Sequence, residues 1–171
     1  MKKLLTLILL GAATTALAEL PYVGASAGYM IDMEEHFFAG RIGSEVAQKN
    51  GLTHAIEIEV GIVSPDEPGV SLDLIPVFAN YRLSSVGERK VGFYAGAGLG
   101  SARLKASYLG FEDSSWTFAG QAFGGVEFKV TPKLSLTAGL RYIWLDDVPL
   151  FGVEIDEGDD VAIEVGVRFR L

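Results

Sequence analysis

The last eleven residues, VAIEVGVRFRL from Val161 to Leu171, decide the fold. The odd positions, Val161, Ile163, Val165, Val167, Phe169 and Leu171, are all large and apolar. Between them stand Ala162, Glu164, Gly166, Arg168 and Arg170. Apolar residues recurring with a period of two describe a β-strand with one apolar and one polar face. A soluble domain seldom ends this way, because an apolar terminal strand invites pairing with another chain.

The same period recurs upstream. It predicts strands over Tyr22 to Ile31, Phe38 to Gln48, Leu52 to Val63, Leu72 to Leu83, Val91 to about Leu104, Trp116 to Val130 and Leu134 to Leu145. Pro76 weakens the fourth of these, since proline brings no N–H to a ladder. Lys49-Asn50-Gly51 suits a three-residue hairpin with the glycine left-handed. Thr131-Pro132-Lys133 makes a second tight turn, whereas Asp32 to His36, Ser64 to Gly69, the loop holding Tyr108, Phe111, Glu112 and Asp113, and Asp146 to Asp160 are longer. Short connections alternating with longer ones predict an all-β chain folded as an eight-stranded antiparallel up-and-down barrel. The pattern Tyr22-x-Gly24-x-Ser26-x-Gly28 returns four predicted strands later as Tyr94-x-Gly96-x-Gly98-x-Gly100.

Alternation alone does not say which face is inside, but the glycines do. Gly24, Gly28, Gly43, Gly61, Gly96, Gly98, Gly100, Gly125, Gly139 and Gly166 share the polar face by parity. On a solvated surface they would only weaken the strands, whereas in the narrow lumen of a small barrel they make room for large neighbours. The polar face then becomes an interior holding Arg41, Glu45, Glu57, Glu59, Arg82, Gln121, Glu127, Lys129, Arg141, Glu164 and Arg168, where opposite charges can neutralise one another. On the apolar face, Tyr29, Trp116, Tyr142 and Trp144 fall toward the long connections and Tyr81, Phe93, Phe128 and Phe169 toward the short turns. Two aromatic girdles flanking an apolar band are expected of a transmembrane β-barrel in an outer membrane.

Four further segments, PYVGASAGY from Pro21, FYAGAGLGSA from Phe93, AGQAFGGVEF from Ala119 and LSLTAGLRY from Leu134, join the C-terminal strand in a pattern that resembles the OmpA/OmpX-like family of small outer-membrane β-barrel proteins. The resemblance covers essentially all of the chain after its N-terminal segment and implies a barrel with periplasmic termini. It also implies that the assembly machinery reads the outward residues Val165, Val167, Phe169 and Leu171. Family strands usually finish on phenylalanine; this one finishes on Leu171, with Phe169 two residues earlier.

The N-terminus fits the same location. MKKLLTLILLGAATTALA has Lys2 and Lys3, an apolar run from Leu4 to Leu10, and small residues ending at Ala18. This is the pattern of a secretory signal peptide, too short to span a bilayer, so residues 1–18 are expected to be removed and 19–171 to form the barrel domain. Without Lys2 and Lys3 the 14 basic residues become 12 against 22 acidic ones, a formal charge of −10 that argues against nucleic acid. The chain has no cysteine, which excludes disulfides and attachment through a lipidated cysteine.

Candidate chemistry is sparse, and no cofactor is expected. Gly24 to Gly28 matches G-x-S-x-G, but that elbow needs a sharp strand-to-helix turn and here the strand period runs straight through Ser26. His36 falls in the first loop and His54 points outward near the first turn, neither with a visible serine partner. Asp156, Glu157, Asp159 and Asp160 have the flavour of a calcium loop without the spacing of an EF-hand. Arg41 and Arg141 with Glu57, Glu59 and Glu127 are expected to form an ionic plug, and Arg41 to stand opposite Glu59. The reading is a non-enzymatic outer-membrane barrel of a Gram-negative-type bacterium with a structural or surface-interaction, adhesion-like role. Its expected partners are outer-membrane lipids, the assembly machinery, and divalent cations or surface ligands at the acidic loops. The rivals are a small porin or path for apolar solutes, and a lipid-modifying hydrolase acting through Ser26 and His36.

Overall fold

The computed structural model describes residues 21–63, 66–67, 70–85, 90–108, 111–150, 153–155 and 158–171, so residues 1–18, expected to be a signal peptide, lie outside the described residues. Eight strands form the barrel: β1 Pro21–Met30, β2 Glu35–Lys49, β3 Leu52–Val63, β4 Val70–Ser85, β5 Val91–Tyr108, β6 Phe111–Lys129, β7 Leu134–Leu145 and β8 Asp159–Arg170. Each strand pairs antiparallel with its neighbour in sequence, and β1 pairs with β8 from Tyr22↔Arg170 to Met30↔Ala162, so the sheet closes on itself. Closure removes the exposed edge that the apolar C-terminal strand would otherwise present.

The outer surface inverts the pattern of a soluble protein. Phe38 is 62% exposed, Phe93 68% and Val165 61%, within a belt that includes Ile42, Ile58, Leu99, Leu140 and Ile163. Tyr81, Phe93, Phe128 and Phe169 edge the belt on the side of the short turns, and Tyr29, Trp116 and Tyr142 on the other. Such a continuous apolar surface belongs in lipid. Strands of β1, β7 and β8 length suit one bilayer crossing, which takes about 9–11 tilted residues.

Three details differ from the expectations above. The first turn is a two-residue hairpin, with Asn50 (φ 53°) and Gly51 (φ 75°) both left-handed and Lys49 paired with Leu52. Asn-Gly suits this turn because its twist matches that of the flanking strands. The register it sets is then shifted by one residue between Glu45 and Ala47, which leaves Arg41 opposite Glu59 and Gly43 opposite Glu57. The expected Arg41–Glu59 pairing is present, reached through a β-bulge and not through a longer turn.

Second, Pro76 lies well inside β4. It pairs with Ala102 of β5, while on the other side the β3 ladder lapses between Val60↔Val77 and Val63↔Leu74. Gly61 stands in that gap; a Cβ there would lie 3.0 Å from Pro76 Cγ. Third, β5 and β6 do not stop near Leu104 and Trp116 but continue to Tyr108↔Phe111. The sequence alternation fades there, yet the backbone ladder persists. The last connection likewise contains a small hairpin, Val148–Leu150 with Val153–Ile155, and β8 begins at Asp159.

Candidate functional site: a filled lumen between two unlike ends

The inward residues form two ionic clusters. Nearest the short turns, Arg82 contacts Glu127 at 3.0 Å and Glu57 at 3.9 Å, Arg168 contacts Glu127 at 2.6 Å and Glu45 at 3.7 Å, and Arg170 contacts Glu45 at 2.5 Å. Tyr22 donates its hydroxyl hydrogen to Glu57 at 2.7 Å. Above them, Arg141 holds Glu59 and, at 2.8 Å, Glu164, while Arg41 reaches Glu59 at 3.3 Å and Glu164 at 3.8 Å. The Gln121 amide donates to Asn80 at 2.7 Å and to Glu59 at 3.2 Å, and its carbonyl accepts from Arg141. The residues expected to form one plug are thus divided: Arg41, Arg141 and Glu59 in the upper cluster, Glu57 and Glu127 in the lower. Each cluster balances its charge, Arg41 and Arg141 against Glu59 and Glu164, and Arg82, Arg168 and Arg170 against Glu45, Glu57 and Glu127. Buried ions require such compensation.

The repeated Tyr-x-Gly pattern has a structural meaning that the sequence reading left unexplained. Arg168 stands opposite Gly24 and its guanidinium lies 4.9 Å from the Tyr22 ring centre; Arg82 stands opposite Gly96 and lies 4.0 Å from the Tyr94 ring. In both copies the arginine cross-strand from the glycine lies over the tyrosine two residues earlier, and both arginines reach Glu127; the space at the glycines themselves goes to Arg41 beside Gly24 and to Phe123 beside Gly96. The inward glycines serve neighbours generally: a Cβ on Gly43 would lie 2.8 Å from the Tyr22 ring, and one on Gly139 2.6 Å from the Tyr94 hydroxyl.

Toward the long connections the lumen turns apolar, a feature the sequence reading missed. Met30, Phe37, Val63, Leu74, Phe78, Leu104 and Ile143 pack together with Ala39, Ala102, Ala119 and Ala162, and Met33 and Leu145 lie against them. The signal was present, since all of the buried members sit at inward parity, but parity was read as marking one polar face. At the opposite mouth a polar vestibule of about 290 Å³ opens among Glu45, Thr53, Ser84, Lys129 and Arg170 and ends on Glu127 and Arg168.

The remaining candidates are scattered. Ser26 faces the lumen in extended β1 and accepts a hydrogen bond from Arg41 Nη2 at 2.7 Å. His36 packs edge-on against Tyr29 and His54 bonds the Tyr81 hydroxyl, both partners on the outer face, so no Ser–His pair forms among the described residues. Asp160 is buried and accepts from the backbone N–H groups of Ile31, Asp32 and Met33 at 3.0, 3.1 and 2.9 Å, tying the first connection to β8. Asp159 accepts from the Tyr142 hydroxyl at 2.5 Å; Asp156 and Glu157 lie outside the described residues. No group of three potential metal ligands occurs among the described residues. Val165, Val167, Phe169 and Leu171 face outward, and the Leu171 N–H reaches the Pro21 carbonyl at 3.0 Å.

A closed barrel with an apolar belt outside and paired charges within defines a small outer-membrane β-barrel protein. The chain belongs to the outer membrane protein beta-barrel domain family, whose model matches residues 4–169. No curated protein matches it in sequence. Among solved structures it is similar to Neisserial surface protein A, at 21% identity and a TM-score of 0.67 over 88% of this chain and 97% of that one. It is also similar to Ail, the attachment invasion locus protein of Yersinia pestis, at 14% identity and 0.58 over 89% and 97%. The outer membrane enzyme PagL follows at 12% identity and 0.55 over 88% and 99%. A surface protein, an attachment protein and an enzyme share this barrel, so at these identities the likeness is one of fold.

Proposed function

We propose that this protein is a non-catalytic outer-membrane barrel that acts through its extracellular surface, with an adhesion-like role, and that its lumen is structural filling. The observation that carries the reading is the length of β5 and β6, which run 18 and 19 residues against 12 for β7. A bilayer crossing uses roughly 9–11 of them, so about eight residues of each strand stand beyond the lipid as an ordered sheet with β4. Nothing in the lumen needs such a sheet, whereas a rigid platform raised above the headgroups is suited to contact. A porin role is disfavoured by the two neutralised clusters and the apolar layer above them. A hydrolase role is disfavoured by the Arg41 partner of Ser26 and the outward histidines. The named roles of Ail and of Neisserial surface protein A accord with a surface function.

The test is a barrel in which residues 106–113 are replaced by a tight turn, displayed on cells and compared with the intact protein for adhesion to surfaces coated with basic protein. Adhesion falls several-fold while heat-modifiable folding is retained; equal adhesion would overturn the reading.

A further inference from the structure

At the foot of the raised sheet, the outer face of β5 carries Arg103 and Lys105, and the register fixes their surroundings. Arg103 lies between Ile75 of β4 and Trp116 of β6; Lys105 lies between Asp73 and Ser114. Arg103 is exposed, and its Nη2 reaches toward the Ser114 hydroxyl at 3.5 Å. Directly below, Ser101 stands between its cross-strand partners Val77 and Phe118, with Leu99 next along the face, and Leu99 and Phe118 are among the exposed large apolar residues. Counting from Val91 at the turn end of β5, the roughly 9–11 residues of one crossing end near Ser101, which puts Arg103 at the level of the outer headgroups. The exposed Trp116 beside it is the residue type that marks that level.

We infer that Arg103, Lys105 and Ser114 bind the phosphate of an outer-leaflet lipid headgroup, with Trp116 at the boundary and Leu99 and Phe118 along the acyl chain. Three arguments converge. A guanidinium and an ammonium two residues apart on one strand face, roughly 7 Å between their Cα atoms, can share one phosphate, the first through its planar fork and the second as a point charge. The acidic connections around the rim, which include Asp32, Glu34, Asp146 and Asp147, repel anionic headgroups, so a local excess of positive charge there has a distinct electrostatic role. Asp73 opposite Lys105 tempers that excess and leaves Arg103 as its centre. Finally, charge above and apolar surface below match the layout of a lipid and not that of a free anion.

The experiment uses the full barrel carrying Trp144→Phe, which leaves Trp116 as its only tryptophan, in octyl glucoside micelles. Trp116 emission is followed on titration with bisphosphorylated lipid A, with the same lipid after dephosphorylation, and with inorganic phosphate. The expected result is saturable binding of the phosphorylated lipid, at least tenfold weaker binding of the dephosphorylated form, and no matching response to inorganic phosphate. Arg103→Gln weakens binding of the phosphorylated lipid about tenfold, Arg103→Lys recovers most of it, and Lys133→Gln at the opposite end changes nothing. Equal affinity for the two lipids, or unchanged binding by Arg103→Gln, would overturn the assignment. Saturation by inorganic phosphate over the same concentration range would also overturn it, by making the site one for free anions.

Discussion

The lumen is one tube built in two ways. From the short turns to mid-height it is held by charge, with Arg82, Arg168, Arg41 and Arg141 each bridging two glutamates; toward the long connections it is held by packing among Phe37, Phe78, Leu104 and Ile143. The same eight strands wall both levels, so barrel width does not explain the contrast. Paired charges satisfy one another within a narrow space, and an apolar layer at the outer end keeps water from competing with them. The layers are therefore interdependent: a breach in either should be felt as lost stability before it is felt as a pore.

The largest expected effect is in the ionic level. Arg141→Met leaves Glu59 and Glu164 with only Arg41 between them and should cost about 3–5 kcal/mol, read from denaturant unfolding in micelles. A loss below about 1 kcal/mol would mean that water reaches these carboxylates and that the outer layer does not seal. Next comes the apolar level: Leu104→Ala, at a fully buried position, should cost about 3 kcal/mol through lost burial and the cavity left behind. If that loss is much smaller than the first, the charged layer alone carries the lumen.

A finer probe asks whether charges couple across the ladder as the register places them. Combining Arg41→Met with Glu59→Leu should give a coupling of about 1–3 kcal/mol, whereas additive losses would show that the two do not face each other. The smallest effect compares inner with outer glycines. A Cβ on Gly96 would lie 2.5 Å from Phe123 Cζ, so Gly96→Ala should cost about 1–2 kcal/mol. At Gly40, where a Cβ would meet nothing within 4 Å, the same change should stay within about 0.5 kcal/mol.

Most of the wall could be read from the sequence because lipid on one side and a crowded lumen on the other impose a strict period of two. Where one of those conditions lapses, reading failed. Around Ser107, Glu112 and Asp113 the alternation is absent and the stretch looked like loop, although its backbone remains paired. The extra residue between Glu45 and Ala47, Val46, could not be picked out because a bulge changes register without leaving a mark in composition. Phe78 and Met30 share the inward parity, but their meaning as part of an apolar layer depends on height along the barrel, which parity does not encode. The ion pairs were only half legible. Shared parity puts Arg41, Glu57, Glu59, Glu127 and Arg141 in one lumen; the division into two neutral clusters follows from strand stagger, which appears only when the sheet closes.

The central claim is that this lumen is filled and that the protein works from its outer surface. Single-channel recording of the refolded barrel in planar bilayers tests it most directly. The account predicts no stable conductance steps of porin size across the physiological voltage range. Long-lived steps of that size, abolished when the protein is unfolded, would contradict it.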